Sequence, residues 1–82
     1  MTDPTEVART LRAAAETVPG VRAECCRILQ ADGGGVEVRV DVRAPEGAVL
    51  PRLAARVRDR VWEAAERETG LELRAVDVRV TS

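Results

Sequence analysis

The chain has no histidine, lysine, tyrosine or phenylalanine, and Trp62 is its only aromatic residue. Without histidine, the Ser–His and Cys–His pairs of nucleophilic catalysis cannot be assembled from this chain alone. Without large aromatics, a core must be built from Val, Leu and Ala. At 82 residues the chain fits one domain, 1–82, and a domain of that size hides only about 60% of the surface its unfolded form exposes. Its stability margin is thin, and self-association would add to it. Cysteine is scarce as well: Cys25 and Cys26 are the only two. Adjacent strand residues point to opposite faces and do not readily bridge each other, so a disulfide-stapled secreted domain is not expected. No stretch approaches the ~18 apolar residues that span a bilayer, and Met1-Thr2-Asp3-Pro4 lacks the basic and apolar regions of a signal peptide. The expectation is a cytoplasmic protein with no direct membrane insertion.

Charge of one sign is also missing. Thirteen basic residues, all arginine, face 14 acidic ones for a net charge of -1, so the surface is mixed and no nucleic-acid partner is expected.

What is present is periodic. Asp3 before Pro4 reads as the capped start of a helix at about residues 4–18, with Val7, Leu11, Ala14 and Val18 on one stripe and Pro19-Gly20 as its stop. An extended segment follows through Ala23, Cys25, Cys26, Ile28 and Leu29, with a change of phase expected where the cysteines meet. Gly33-Gly34-Gly35 reads as a hairpin turn, because glycine reaches positive φ freely. Val36, Val38, Val40 and Val42 then alternate with Glu37, Arg39, Asp41 and Arg43, one face buried and the other wet. A second helix places Leu50, Leu53, Val57, Val61 and Ala64 or Ala65 inward, with Pro51 in its first turn and Gly70 as its cap. Leu71, Leu73, Val76, Val78 and Val80 form a last strand whose phase shifts near Ala75. The order αββαβ predicts an α/β (α+β) domain, a three-stranded mixed sheet with both helices on one face.

Chemistry-bearing constellations are few. Cys-Cys without a spacer lacks the C-x-x-C geometry of a metal turn, although ligation between two chains stays open. That one or both cysteines pack as small apolar residues in a strand is preferred over a reactive reading. Glu37, Asp41, Glu72 and Asp77 alternate with Arg39, Arg43, Arg74 and Arg79, which reads as an ion-pair ladder on the outer sheet face and not as an acid/base dyad. The glycine run lies between strands and no Lys-Ser/Thr follows it, so it is no phosphate loop. Arg52, Arg56, Arg58 and Arg60 share their helix with Asp59, Glu63 and Glu66 and have no stacking aromatics. Trp62, at the rim of the apolar stripe, either packs over the first helix or anchors an interface. No catalytic residue, cofactor or metal is expected, and Trp62, Arg58, Arg39 and Arg79 are the candidate protein-interface residues.

Val18-Pro19-Gly20-Val21, Leu50-Pro51-Arg52-Leu53-Ala54 with Val57, Arg58 and Val61, and Thr69-Gly70-Leu71 before Val76-Asp77-Val78 together resemble the alkaline-shock (Gls-type) envelope stress response family. That resemblance implies a non-enzymatic, self-assembling stress protein or adaptor, held near the membrane in some members by a small membrane-protein partner. The chain lacks the longer glycine-rich insertion of many members between Val21 and Val36. Two other readings compete. The αββαβ order resembles type II KH-like RNA-binding modules such as ribosome-binding factors, but no GXXG-type loop or basic surface accompanies it. Val18-Pro19-Gly20-Val21 before extended segments is also similar to heavy-metal-associated domains, without their C-x-x-C loop.

Overall fold

The computed structural model describes residues 3–81. Helix α1 covers Pro4–Ala15, with Pro4 in its first turn and the Asp3 carboxylate accepting the Thr5 N–H at 3.0 Å. It ends earlier than residue 18. The Thr17 and Val18 amides donate to Ala14 and Ala15 at 3.1 and 3.2 Å, and the Thr17 hydroxyl donates to the Ala14 carbonyl at 2.6 Å. These tighter turns leave the α-helix but still carry Val18 into the core.

Strands β1, Arg22–Gln30, and β2, Val36–Arg43, form an antiparallel hairpin. Its loop requires glycine at one place above all. Gly35 has φ 78°, and a Cβ there would stand 2.9 Å from the Glu72 carbonyl oxygen and 2.8 Å from Arg74 Cγ. The close approach lets the Val36 amide donate to that same carbonyl at 2.9 Å, fastening the hairpin tip to the last strand.

Helix α2 covers Leu50–Ala64, starts after Val49 without a side-chain cap, and buries Leu53, Val57, Val61 and Ala64. It continues as one π-helical turn, Ala65–Thr69, closed by Gly70 in the left-handed region with φ 68°. The wider turn admits one extra residue, so Ala64 and Ala65 are both buried. The Thr69 hydroxyl donates back to the Ala65 carbonyl and accepts the Leu71 amide, which stops the helix.

Strand β3, Leu73–Thr81, runs parallel to β2, so the sheet order is β1-β2-β3 with β2 central and β3 at an edge. A parallel pair needs a long crossover, and α2 supplies it. Val38, Val40, Val42, Leu11, Val57 and Val61 are fully buried in one core, while Glu37, Arg39 and Arg43 on the alternate positions of β2 are exposed. Both helices therefore cover one face of a three-stranded mixed sheet, the αββαβ arrangement that the periodicity implied.

Two one-residue bulges set the register. Glu24 is extra in β1, between the pairs Ala23/Val42 and Cys25/Asp41, and Arg74 is extra in β3, between Leu73/Val36 and Ala75/Glu37. The first lies one residue ahead of the cysteines and the second just before Ala75.

Candidate functional site

The bulge at Glu24 decides which cysteine faces which way. Ala23 points inward and is buried. Strict alternation would bury Cys25 next, but the extra residue turns both Glu24 and Cys25 outward and Cys26 inward, opposite Val40. Cys26 then packs against the core beside Ile28 and below Pro4, Thr5 and Ala8 of α1. Its thiol is pushed up from the ordinary 9.0 to about 11, chiefly by burial, with Cys25 adding and Arg12 opposing. It is a neutral packing group at physiological pH. Both cysteines are free thiols that point to opposite faces of β1.

Cys25 lies on the open face in a shallow pocket of about 170 Å³ lined by Arg27, Arg39, Asp41 and Arg79. The register puts Cys25, Asp41 and Arg79 in one row and Arg27, Arg39 and Asp77 in the next. The expected ion-pair ladder is present only in part. Across β2 and β3 opposite charges are in register, whereas across β1 and β2 Arg27 stands directly opposite Arg39. Among the described residues the open face carries two ion pairs, Arg79–Asp77 at 3.9 Å and Arg43–Glu24 at 3.4 Å, and neither involves Arg27 or Arg39. Alternation along each strand and a change of phase at the cysteines are readable in the sequence; the pairing across strands depends on the bulged residue being Glu24, which they do not specify.

The four candidate interface residues do not converge. Arg39 and Arg79 meet at the open-face pocket, while Arg58 and Trp62 lie one turn apart on α2, in the layer beyond the sheet. The groove between the helices, about 350 Å³, is lined by Thr10, Ala14, Thr17, Glu63 and Ala64 among others, and Trp62 takes no part in it. Packing of Trp62 over the first helix is thus replaced by a position on the flank of α2 turned away from α1. There the indole is half-buried against the core and borders a depression shared with Asp59, Glu63, Glu66 and Arg67. On the same side of the molecule α2 overlies β3, whose Leu73, Val78 and Val80 are also only partly buried. Glu66, which is not among the four candidates, borders the same depression as Trp62, and its spacing of four from Trp62 and eight from Arg58 is the sequence signal for it.

Among the described residues, no three Cys, Asp or Glu side chains gather where they could hold a metal ion. No helix there is long and apolar enough to cross a membrane.

No protein-family model matches this chain, and no curated protein sequence matches it. Solved structures do. A MamM-CTD double variant aligns with 24% identity and a TM-score of 0.63 over 95% of this chain and 92% of that one. A MamM CTD cadmium form aligns with 22% identity and a TM-score of 0.65 over 98% of each chain. A nickel form aligns with 22% identity and a TM-score of 0.63 over 95% of this chain and 96% of that one. The likeness spans both chains almost end to end and establishes the fold.

It also corrects the resemblance drawn from the sequence. The structures that match are MamM C-terminal domains and not alkaline-shock proteins, and the envelope-stress reading falls with it. The three stretches that carried it are fold-generic. Val18-Pro19-Gly20-Val21 is a tight turn between helix and strand, Leu53, Val57 and Val61 are the buried stripe of an amphipathic helix whose first residue, Leu50, expected inward, is instead 40% exposed in the opening turn, and Thr69-Gly70-Leu71 is a left-handed helix stop.

Proposed function

We propose that this chain is a non-enzymatic assembly domain that works as a two-fold dimer of itself, in the manner of a cation diffusion facilitator C-terminal domain. The observation that carries this reading is the row Arg58–Trp62–Glu66 on the free flank of α2. Arg58 and Trp62, four residues apart in α2, stand above one another on one helix face, and the π-helical turn keeps Glu66 beside Trp62 at the same depression. A two-fold axis through Trp62 sets two such helices antiparallel, stacks the two indoles, and brings Arg58 against the partner's Glu66 twice. The patch is self-complementary, as an isologous interface must be. The partly buried Leu73, Val78 and Val80 and the unpaired edge of β3 extend it. The near-complete overlap with MamM C-terminal domains supports an appended-domain role, and the missing histidine supports one without catalysis.

The test is sedimentation velocity across a concentration series. The expected outcome is a concentration-dependent dimer that Trp62→Ala weakens by about 30-fold or more, the effect of losing a central aromatic anchor worth roughly 2 kcal/mol. Arg58→Glu weakens it too, and adding Glu66→Arg to that variant restores it. A strict monomer at every concentration, or failure of the charge swap to restore association, would sink the proposal.

Metal handling is the second reading, suggested by the cadmium, nickel and copper forms of the structural neighbours. The donor set of one chain does not fit it: there is no histidine, no ligand cluster among the described residues, and Cys25 lies among guanidinium groups. Any site would draw ligands from two copies. Isothermal titration of the purified protein with cadmium settles it: saturable uptake at one ion per dimer supports the shared site, and no heat at millimolar metal ends it.

A further inference from the structure

The open face of the sheet presents an arrangement that assembly through α2 leaves unexplained. Like charges directly opposite on neighbouring strands are destabilising, yet the register sets Arg27 against Arg39. Neither takes part in an ion pair among the described residues. Arg79, paired with Asp77 at 3.9 Å, also lines the pocket, and Asp41 is the only acid lining it among the described residues. On the wall of this pocket is Cys25, a half-buried free thiol. With Asp77 in register with Arg39 and paired to Arg79, and Asp41 on the wall, the three guanidinium groups still leave the pocket with a net positive charge, and such an excess concentrates anions and raises the encounter rate of negatively charged reagents. Arginine is also the side chain best shaped to hold a carboxylate in two-point contact.

We propose that the Cys25 pocket is a modification site for small disulfides bearing carboxylates. In the step, the Cys25 Sγ gives up its proton to water and attacks one sulfur of the incoming disulfide. The reagent's S–S bond breaks as the bond from Sγ to that sulfur forms. The other half departs as a thiolate and takes up a proton from solvent. Cys25 is oxidised, the departing half is reduced, and the disulfide is the only oxidant required. Arg27 and Arg39 hold the carboxylate of the half that stays. The reaction is confined to one of two adjacent thiols, because the bulge at Glu24 turns Cys26 into the core.

The experiment uses the full chain as Cys26→Ala, which keeps only Cys25, and as Cys25→Ala, which keeps only Cys26. Each is reacted with a dianionic aromatic disulfide, dithiobis(nitrobenzoate), and with the dicationic cystamine, every rate being divided by that of a neutral cysteine peptide with the same reagent. For the Cys25-only protein the normalised rate with the anionic reagent exceeds that with cystamine by about tenfold or more, and salt erodes the excess. Adding Arg27→Gln and Arg39→Gln removes most of it, with circular dichroism confirming that the fold is retained. The Cys26-only protein reacts slowly with both. Equal normalised rates for the two reagents at low salt would overturn the proposal, as would comparable reactivity of Cys26. The salt series on the unaltered pocket decides the matter even if the arginine variants fold poorly.

Discussion

The two faces of the same three strands obey different rules. On the covered face, Val38, Val40 and Val42 are all fully buried, and because they are interchangeable a shift of register by two residues would leave the core almost unchanged in chemistry. On the open face of β2 acid and base alternate, Glu37, Arg39, Asp41 and Arg43, so one extra residue decides which charges meet. The bulge at Glu24 puts Arg27 opposite Arg39 and Cys25 opposite Asp41. A strand whose inward face is all valine tolerates register error, and the specific chemistry of this protein collects where register matters most.

The contrast is broken most severely by placing charge on the wrong face. Val40→Asp buries an unpaired carboxylate at a fully enclosed position and costs more than about 4 kcal/mol, enough to abolish folding. Arg39→Gln, one residue away, stays within about 0.5 kcal/mol of the parent. Urea titration followed by circular dichroism measures both, and similar losses would show that the faces are misassigned.

The register itself is tested at the hairpin tip. Gly35→Ala forces a positive φ on alanine and pushes its Cβ against the Glu72 carbonyl, a loss of about 1–3 kcal/mol. Gly34→Ala also takes a strained φ, 105°, but meets nothing within 4 Å, and it costs less than the Gly35 variant in the same titration. Equal costs would mean that the tip is not clamped to β3.

The paired cysteines sharpen the comparison at alkaline pH. The folded state holds the Cys26 thiol above its ordinary 9.0, at about 11, so the neutral form is the one the fold favours. That contribution is intact below pH 9 and is lost as pH rises toward 11. The urea midpoint of the parent should therefore fall more steeply over this window than that of Cys26→Ala, while Cys25→Ala keeps most of the slope. Parallel curves for parent and Cys26→Ala would contradict the inward placement of Cys26. The smallest effect is a gain. Arg27→Glu replaces a like-charge pair with an opposite one across β1 and β2 and stabilises by about 0.2–1 kcal/mol. A loss of stability would mean that Arg27 and Arg39 do not face each other.

Most of the fold was legible because it rests on period. Alternating valines announced β2, and the stripe Leu53, Val57, Val61 announced α2. The irregularities were less so. A phase change was visible around the cysteines, but composition could not place it at Glu24, whose carboxylate is held outward by Arg43 at 3.4 Å and the Thr81 hydroxyl at 3.4 Å. Those partners come from other strands and leave no local trace. The π-helical turn was foreshadowed only by the choice between Ala64 and Ala65 as the inward residue, which the wider turn resolves by burying both. Of the candidate site, Trp62 stood out as the only aromatic, whereas the pocket around Cys25 depends on a register that no single strand encodes.

With neither tyrosine nor phenylalanine in the chain, Trp62 is also its sole strong ultraviolet chromophore. Its emission is a one-site optical record of the α2 flank, uncontaminated by energy transfer from other rings. The half-buried indole reports on solvent entering that flank, and in a two-fold dimer the two indoles would be near enough to perturb each other's spectrum, so the unmodified protein carries its own label for assembly.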